Sequence, residues 1–401
     1  VQPPDGNHLE ESGGDGGMRY TIGQLAEIID GDRGKNYPKQ DEFYPQGYCL
    51  FLNTGNVTKE GFIFEENQFI MKEKDEALRK GKLKRGDIVY TTRGTVGNAG
   101  YYNSSVPYEN VRINSGMVIL RSNGEIVDAR FLYQILKSEY YRPYFKQYCT
   151  GSAQPQLPIK NFSQIYLNVP DIKTQHRIAD ILSVYDNLIE NNQKQIKLLE
   201  EAAQRLYKEW FVDLRFPGHE NTKIVDGVPE GWSRGLLKEL ISVNYGKDHK
   251  KAPDDGNIPV YGSGGLMRKC NKSLFSGEAV LIPRKGSLNN IMYVDETFWT
   301  VDTMFYATMK QPHTAVFVYF FVKAFDMYSM NIGAAVPSMT TKILDAMDVV
   351  IPDKETLEKF DKLTKTYFNK IKTLQGQNER LKTARDLLLP KLMYETQKGD
   401  F

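Results

Sequence analysis

The sequence is poor in cysteine and lacks long apolar runs. Its three cysteines, Cys49, Cys149 and Cys270, are odd in number and far apart along the chain, which excludes a disulfide framework and any recognisable zinc-ligand spacing. No apolar stretch approaches the length that crosses a bilayer, and the first residues lack the charged and apolar regions of a signal peptide. We therefore expect free thiols, a cytoplasmic location and no membrane partner.

Catalytic motifs are also missing from the sequence. The Gly31–Lys35 segment is too short for a phosphate-binding loop, and no Asp/Asn-Pro-Pro-aromatic tetrapeptide of the amino-methyltransferase kind occurs. A Pro-Asp dipeptide ends at Asp171 and recurs at Asp353, each time before a predicted helix. We interpret both aspartates as helix caps rather than nuclease metal ligands. The sequence predicts a non-catalytic chain with no metal or cofactor of its own.

A strong charge of either sign is absent as well. The formal net charge is only +2, which by itself does not indicate nucleic acid. The distribution is more informative, because residues 1–17 hold four acidic residues and no Lys or Arg and are interpreted as a flexible tail. Residues 18–160 carry a mild excess of Lys and Arg, and this basicity permits DNA binding without requiring it.

What the sequence does have is an internal repeat with heptad spacing. Mostly apolar side chains recur at 4-3 spacing from Ile178 to Trp210, and adding 182 to each number gives a second series in the same phase, from Phe360 to Leu392. A stripe this narrow predicts a helix that pairs with another helix, here within the same chain. At 1.5 Å per residue, each helix is about 50 Å long. The predicted seam consists of Ile178, Leu182, Tyr185, Ile189, Ile196, Leu199, Leu206, Tyr367, Ile371, Leu374, Leu381 and Leu388.

The same offset also holds upstream of the two helices. The segment 151–158 aligns with 333–340, and residues 168–171 align with 350–353. We interpret the chain as a tandem duplication of a globular unit followed by a long helix. The first unit opens with the helix-spaced apolar residues Ile22, Leu25, Ile28 and Ile29, and a related opening begins at Leu237. Short β-prone runs and one apolar helix, near 131–136 and 316–321, follow in each unit.

In each unit the clearest strand runs into a glycine-rich loop. The stretch 86–98 parallels 277–290, with one residue inserted in the second copy. Hydroxyl, amide and cationic side chains on such a loop are suited to phosphates and base edges of DNA. Solvated turn residues are the alternative interpretation. The predicted DNA-binding residues are Thr92, Arg93, Thr95 and Asn98 in the first unit, and Arg284, Lys285, Ser287, Asn289, Asn290, Tyr261 and Ser263 in the second.

The repeated segments resemble those of the specificity subunits of type I restriction-modification systems. The resemblance rests on the segment 151–158, the helix entry 170–181, the helix end 198–216 and the segment 387–393. It implies an α+β chain in which two tandem, pseudo-symmetric mixed α/β recognition domains are joined by two long helices that form an antiparallel coiled coil. The expected divisions are an acidic tail (1–17), target recognition domain 1 (18–170), a central helical spacer (171–216), target recognition domain 2 (217–352), a C-terminal helical spacer (353–395) and a tail (396–401).

The resemblance further implies a division of labour among subunits. Each recognition domain would read one half of a bipartite site in double-stranded DNA, and the helices would set the unread spacer. Two methyltransferase subunits that use S-adenosylmethionine would dock on the helices, and two restriction subunits that use ATP and Mg²⁺ would join for cleavage. A stand-alone bivalent DNA-binding decoy and a coiled-coil protein scaffold without enzyme partners remain as alternatives.

Overall fold

The computed structural model describes residues 18–151, 154–330 and 338–397. The predicted acidic tail, most of the predicted C-terminal tail and parts of the repeated segments (152–153 and 333–337) lie outside the described residues. The chain divides into two tandem units of helices and strands. The division falls within the two long helices, so that each unit contains a segment of both.

Unit 1 comprises the chain up to Asn191 together with the residues from Gln377 onward. Its strands are β1 (Met18–Thr21), β2 (Ala26–Asp30), β3 (Cys49–Leu52), β4 (Val57–Thr58), β5 (Gly61–Phe62), β6 (Phe69–Ile70), β7 (Ile88–Thr91), β8 (Ala99–Tyr101), β9 (Val111–Ile113), β10 (Met117–Ser122) and β11 (Tyr166–Val169). Its helices are α1 (Ile22–Leu25), α2 (Lys72–Ala77), α3 (Ala129–Lys137), α4 (Arg142–Lys146), α5 (Ile159–Ser163) and the start of α6 (Ile172–Tyr207).

The opening of unit 1 differs from the predicted helix. Only Ile22 and Leu25 lie in the one-turn helix α1, whereas Ile28 and Ile29 belong to strand β2 and pair with β10. The β-branched side chains favour a strand, and pairing with β10 outweighs their helical spacing. The four-stranded sheet has the order β2-β10-β7-β8, and a three-stranded sheet has the order β6-β3-β9. Helix α3 packs against the first sheet and is buried from Phe131 to Lys137.

Unit 2 comprises Asn192–Gly376. Its strands are β12 (Ile224–Val225), β13 (Val228–Pro229), β14 (Ser233–Leu236), β15 (Ile241–Tyr245), β16 (Ile258–Gly262), β17 (Gly265–Cys270), β18 (Phe275–Pro283), β19 (Met292–Thr300), β20 (Met304–Met309) and β21 (Asp348–Ile351). Its helices are the end of α6 with a π turn (Lys208–Val212), α7 (Ala315–Lys323), α8 (Thr341–Asp345) and the start of α9 (Lys354–Gln397). Six strands form one sheet of order β15-β20-β18-β19-β16-β17.

Each unit leads into its long helix through the same two-stranded sheet and the same cap. Strand β1 pairs with β11, and β14 pairs with β21, antiparallel in both cases. Asp171 then accepts hydrogen bonds from the backbone and hydroxyl of Thr174, at 3.1 and 2.7 Å. Asp353 accepts the equivalent pair from Thr356, at 2.9 and 2.8 Å. The hydrogen bonds from Thr174 lower the pKa of Asp171. Both aspartates therefore cap helices.

Segments of α6 and α9 pack antiparallel within each unit. In unit 1, Leu182 shares a core with Leu389, and Ile178 with Leu392 and Met393. In unit 2, Trp210 lies 5.8 Å from Phe360 between ring centroids. This pairing confirms the predicted antiparallel coiled coil. Every predicted seam residue is buried or half-buried: Ile178, Leu182, Tyr185, Ile189, Ile196, Leu199, Leu206, Tyr367, Ile371, Leu374, Leu381 and Leu388.

Membrane spans, metal sites and cysteines are considered for residues 18–151, 154–330 and 338–397 only. There, none of the helices has the length and apolar content needed to span a membrane. No group of three or more His, Cys, Asp or Glu side chains is placed to hold a metal ion among these same residues. All three cysteines are free, with Cys49 and Cys270 buried and Cys149 half-buried.

Candidate nucleic-acid interface

The two glycine-rich loops connect equivalent pairs of antiparallel strands. In unit 1, Ile88 pairs with Tyr101 across β7 and β8. In unit 2, Val280 pairs with Tyr293 across β18 and β19. Both strands of the second hairpin are therefore offset from those of the first by the same 192 positions. Counted between the ends of the strands, the connection contains seven residues in unit 1 (92–98) and eight in unit 2 (284–291), in agreement with the predicted extra residue.

Backbone hydrogen bonds fix the same alignment inside the loops. The amides of Thr92 and Arg93 both donate to the carbonyl of Gly116, at 2.9 and 3.1 Å. In unit 2 the amides of Arg284 and Lys285 both donate to the carbonyl of Thr303, at 2.8 and 3.3 Å. The structural counterpart of Arg93 is therefore Lys285, and that of Thr92 is Arg284.

The residue after each of these cations is a glycine with positive φ. Gly94 has φ of 70° and Gly286 has φ of 82°, a conformation that glycine adopts without strain. At Gly286 a Cβ atom would also lie 2.6 Å from the hydroxyl of Ser263. In unit 2 both the positive φ and the close approach of Ser263 favour glycine, and the side chains on either side of the glycine are exposed in both loops.

The structure leaves the same chemistry exposed at the same positions of the two loops. Arg93 and Thr95 are exposed in unit 1, and Lys285 and Ser287 are exposed in unit 2. Each loop thus offers a cation, a glycine and a hydroxyl in succession. Cations and hydroxyls are the groups that proteins use on phosphate oxygens, and arginine also reads guanine in the major groove.

The other two predicted residues of the first loop are buried and hold the loop in place. Thr92 donates its hydroxyl to the carbonyl of Gly116 at 3.1 Å, and Asn98 donates its amide to the carbonyl of Val57 at 2.9 Å. Thr91, at the end of β7, donates its hydroxyl to the carbonyl of Thr95 at 2.5 Å and accepts from the backbone amide of Asn98 at 2.9 Å. The hydroxyl of Thr91 thus supports the first loop from within, and the carbonyls of Gly116 and Val57 hold it from outside.

The second loop is supported from outside by the segment after α7. Asn289 donates its side-chain amide to Asp326 at 3.0 Å and accepts from the backbone of Met327 at 2.8 Å. The hydroxyl of Tyr328 accepts from the amide of Leu288 at 3.2 Å and donates to the carbonyl of Gly286 at 2.9 Å. Both polar ends of the Asn289 side chain are therefore occupied.

The remaining predicted residues of unit 2 surround the loop. Asn290 donates its side-chain amide to the carbonyl of Ser263 at 2.8 Å, which joins the β16–β17 turn to the loop. The guanidinium of half-buried Arg284 lies 5.6 Å from the ring centroid of Tyr245. Tyr261 donates its hydroxyl to Glu296 at 2.5 Å, and burial together with that carboxylate raises the pKa of Tyr261.

Two kinds of supporting residue were missed from the sequence. Tyr328 and Asp326 lie about 40 residues from the loop in sequence, and no local sequence pattern predicts their contacts with it. The backbone amides of Leu157 and Met339 were also missed; they donate to the carbonyls of Thr92 and Arg284, both at 2.9 Å. For this second pair a signal existed, because Leu157 and Met339 lie at equivalent positions of the repeated segments 151–158 and 333–340.

Comparison with known proteins identifies the family. Residues 16–201 and 229–383 each match the family described as "Type I restriction modification DNA specificity domain". The chain belongs to this family. The two matches cover most of both units, so the specificity domain occurs twice in tandem. Membership of this family confirms the prediction that the chain is a non-catalytic specificity component.

Two relatives match over most of their length. The specificity subunit of the type I restriction enzyme MjaIX from Methanocaldococcus jannaschii is 24% identical over 364 residues, which cover 80% of each chain. The specificity subunit of the type I restriction enzyme HindI from Haemophilus influenzae is 25% identical over an alignment of 460 residues, covering 90% of this chain and 97% of the relative.

One solved structure shares the fold. The S subunit of a type I restriction-modification system from M. genitalium superposes with a TM-score of 0.56 at 18% sequence identity, and the match covers 98% of this chain and 99% of that one. This likeness confirms the predicted architecture of two tandem specificity domains joined by long helices.

Proposed function

We propose that this specificity subunit recognises a bipartite site in double-stranded DNA, with each unit reading one half. The observation that carries the proposal is the repeated loop chemistry. Arg93 and Thr95 in unit 1 are matched in position and type by Lys285 and Ser287 in unit 2. Two loops that offer the same groups on equivalent hairpins are suited to the same polyanionic ligand.

Within this proposal the exposed side chains take different tasks. Arg93 carries a planar guanidinium that can bond guanine O6 and N7 together, whereas Lys285 is a point charge suited to a phosphate. Thr95 and Ser287 would add hydrogen bonds from their hydroxyl groups to the DNA phosphates. Four other side chains form hydrogen bonds within the protein and stabilise the loops: Thr92 and Asn98 in unit 1, and Asn289 and Asn290 in unit 2.

We further propose that the chain acts through partner subunits. Two methyltransferase subunits would dock on the paired helices and supply S-adenosylmethionine-dependent methylation, and two restriction subunits would supply ATP- and Mg²⁺-dependent cleavage. Support comes from the family membership, since specificity subunits are components of type I enzymes.

The first experiment is recovery of the tagged chain from its source cells, identification of the bound proteins, and incubation of the complex with S-adenosylmethionine and random-sequence DNA. We expect a methyltransferase that modifies a split site. A matched variant carrying Arg93→Ala and Lys285→Ala should recover the same partner but lose methylation of that site. Recovery of no methyltransferase would contradict the proposal. Tight DNA binding by the chain alone would then favour a stand-alone DNA-binding decoy. No DNA binding would favour a coiled-coil protein scaffold.

A separate experiment tests whether the helices set the unread spacer. Inserting four residues into both α6 and α9 should lengthen the spacer between the half-sites and leave the half-sites unchanged, because the helices rise about 1.5 Å per residue. The measurement is sequencing of the DNA methylated by the complex. An unchanged spacer length in a complex that still methylates would refute this role.

A further inference from the structure

The hairpin beside the second loop exposes two neighbouring apolar side chains. Strands β16 and β17 form an antiparallel two-stranded ribbon, and β17 is an edge strand of the six-stranded sheet. Just after the turn between them, Leu266 is 60% exposed and Met267 is 54% exposed. Adjacent exposed apolar residues often mark a contact surface when polar residues border them.

The turn of this hairpin is packed directly onto the second glycine-rich loop. Its Ser263 carbonyl accepts the side-chain amide of Asn290, and its Ser263 hydroxyl closely approaches Gly286. Leu266 pairs with Tyr261 across the ribbon, two residues from Ser263. The apolar pair therefore adjoins the exposed Lys285 and Ser287, and a ligand that covers the loop also reaches the hairpin.

Exposed lysines border the same ribbon. They lie in the segment before β16 and at the end of β17 and are Lys247, Lys250, Lys251, Lys269 and Lys272. Arg268 on β17 fastens the first segment to the ribbon, because its guanidinium donates to the carbonyls of His249 and Ala252, the latter at 2.7 Å. Lys272 donates to the carbonyl of Lys251 at 3.4 Å. The lysines thus belong to one continuous surface with the hairpin.

Two of the acidic groups on this surface already have partners. Asp248 accepts from the backbone amide of Lys250 at 3.0 Å, and Asp254 forms an ion pair with Arg268. Asp255 is also exposed, and the lysines still outnumber these acids. The surface is therefore an apolar tip with a positive border, which is complementary to a polyanion that presents apolar groups in a groove.

We propose that the β16–β17 hairpin is a second DNA-contacting element of unit 2. Leu266 and Met267 contact thymine methyl groups in the major groove, and the bordering lysines neutralise the flanking phosphates. The major groove admits a two-stranded β-ribbon, and thymine is the base that offers an apolar methyl group there. This inference rests on the proposed function and deepens it, since it names a base that unit 2 reads.

The equivalent contact is absent from the described residues of unit 1. There the short β4–β5 hairpin adjoins the loop, because Val57 accepts the amide of Asn98. Its turn carries Lys59, paired with Glu139 at 3.0 Å, and Glu60, paired with Lys382 at 3.1 Å. The turn of this hairpin therefore carries two charged side chains that are held in ion pairs, in place of the exposed apolar pair of unit 2.

The test uses the full chain in complex with its modification subunits and a pool of random-sequence duplexes, prepared with either thymine or deoxyuridine. We expect the wild-type complex to bind thymine-containing duplexes about fourfold more tightly for each buried methyl group. The Leu266→Ala, Met267→Ala variant should lose that preference and select a half-site with less thymine. The Ile224→Ala, Val225→Ala variant is the matched control, since Ile224 and Val225 are 56% and 54% exposed on β12, in the same unit.

The lysine border is tested by the salt dependence of binding to the same pool. Lys250→Ala with Lys251→Ala should reduce the slope of log K against log salt concentration by up to about 2, one for each phosphate contact. If the complex binds DNA but both sets of variants behave as wild type, the hairpin proposal is wrong and the proposed function stands. Loss of a partner subunit in place of DNA affinity would mean that the hairpin docks a protein. A wild-type complex that binds no duplex overturns both.

Discussion

The buried helix of each unit, α3 in unit 1 and α7 in unit 2, contacts the long helices through different kinds of side chain. In unit 1 a half-buried carboxylate, Asp186 on α6, accepts from Lys137 at the end of α3 at 2.7 Å and from Arg385 on α9 at 2.9 Å. Gln134 donates to the other oxygen of the same carboxylate at 2.6 Å. One acidic group therefore links three helices of unit 1.

Unit 2 uses aromatic rings for the same purpose. The offset of 182 places Phe368 on α9 at the position of Asp186. The ring of Phe368 lies 4.7 Å from that of Tyr293, 6.0 Å from Tyr319 and 6.3 Å from Phe320, between centroids. The duplicated helix has kept its position while the side chain has changed from a charge to a ring. The contact between the core helix and the long helices can therefore be ionic or aromatic. We call the contacts of Asp186 the ionic joint and those of Phe368 the aromatic joint, and we expect substitutions in the two to change stability by different amounts.

The largest loss of stability is expected when the carboxylate of Asp186 is removed from the ionic joint. Asp186→Ala leaves Lys137, only 5% exposed in its side chain, and Arg385 without their shared partner. Breaking a largely buried ion pair from one side costs about 3–5 kcal/mol, and we expect a loss of at least about 3 kcal/mol in the free energy of local unfolding. Hydrogen exchange of α3 and α6 peptides measures it within unit 1.

Two further variants sharpen this difference. Asp180→Ala is the control on the same helix, because Asp180 is 64% exposed and its pair with Arg130 should contribute less than about 1 kcal/mol. In the aromatic joint, Phe368→Leu keeps an apolar side chain and should cost less than about 2 kcal/mol. Equal losses for Asp186→Ala and Asp180→Ala would show that the carboxylate does not hold the joint.

A smaller effect is expected from pH. Burial lowers the pKa of Lys137 to about 8, although the charge of Asp186 opposes the shift. Because the folded-state pKa lies below the unfolded value near 10.5, the unfolded chain binds more protons between these values. The contribution of Lys137 to the free energy of unfolding of unit 1 should therefore rise as pH increases from about 8 to about 10. Buried thiols and phenols of unit 1, whose pKa values are raised, oppose it in the same range, so the measurement is the difference between the wild-type and Lys137→Met profiles, obtained by hydrogen exchange at each pH.

The control for that titration lies in the other unit. Lys323 ends α7 as Lys137 ends α3, but it is exposed and donates to the hydroxyl of Tyr319 at 2.7 Å. Lys323→Met should leave the pH profile unchanged. A Lys137→Met profile of unit 1 that runs parallel to the wild-type profile from about pH 8 to about 10 would contradict the role given to Lys137.

The elements that could be predicted from the sequence are those with a repeating pattern. Heptad spacing identified both long helices, since 4-3 periodicity is a property of the local sequence. The loop alignment could not be obtained in this way. Gly86 and Gly277 were matched by identity, yet Gly86 precedes β7 whereas Gly277 lies inside β18 and pairs with Glu296. Pairing between strands, which is non-local, sets the register and shifts the match by one residue.

The candidate site shows the same limit. The residue types that would suit DNA could be predicted, and Arg93, Thr95, Lys285 and Ser287 are exposed. Which of the neighbouring polar residues support the loop could not be predicted. Asn98 and Asn289 look equally suited to a base, and only tertiary contacts with Val57 and Asp326 show that their amides are occupied.

Single substitutions of the two exposed cations should separate their proposed tasks. Arg93→Ala should weaken DNA binding by about 1–3 kcal/mol and relax the preference at one base of its half-site, as expected for a guanine contact. Lys285→Ala should weaken binding to all sequences and reduce the salt slope by about 1. Sequencing of duplexes selected by the complex, together with affinities at several salt concentrations, measures both. If Arg93→Ala changed only the salt slope, Arg93 would contact phosphate instead.

The smallest effect should distinguish how the two loops are supported. Tyr328→Phe removes one hydroxyl that bridges Leu288 and Gly286, and water can partly replace it because Tyr328 is 44% exposed. We expect a loss of about 1 kcal/mol in binding, confined to the half-site read by unit 2. Thr91→Val removes the internal support of the first loop and should relax the other half-site alone. If either variant altered the recognition of both half-sites, the support would not be local to each loop.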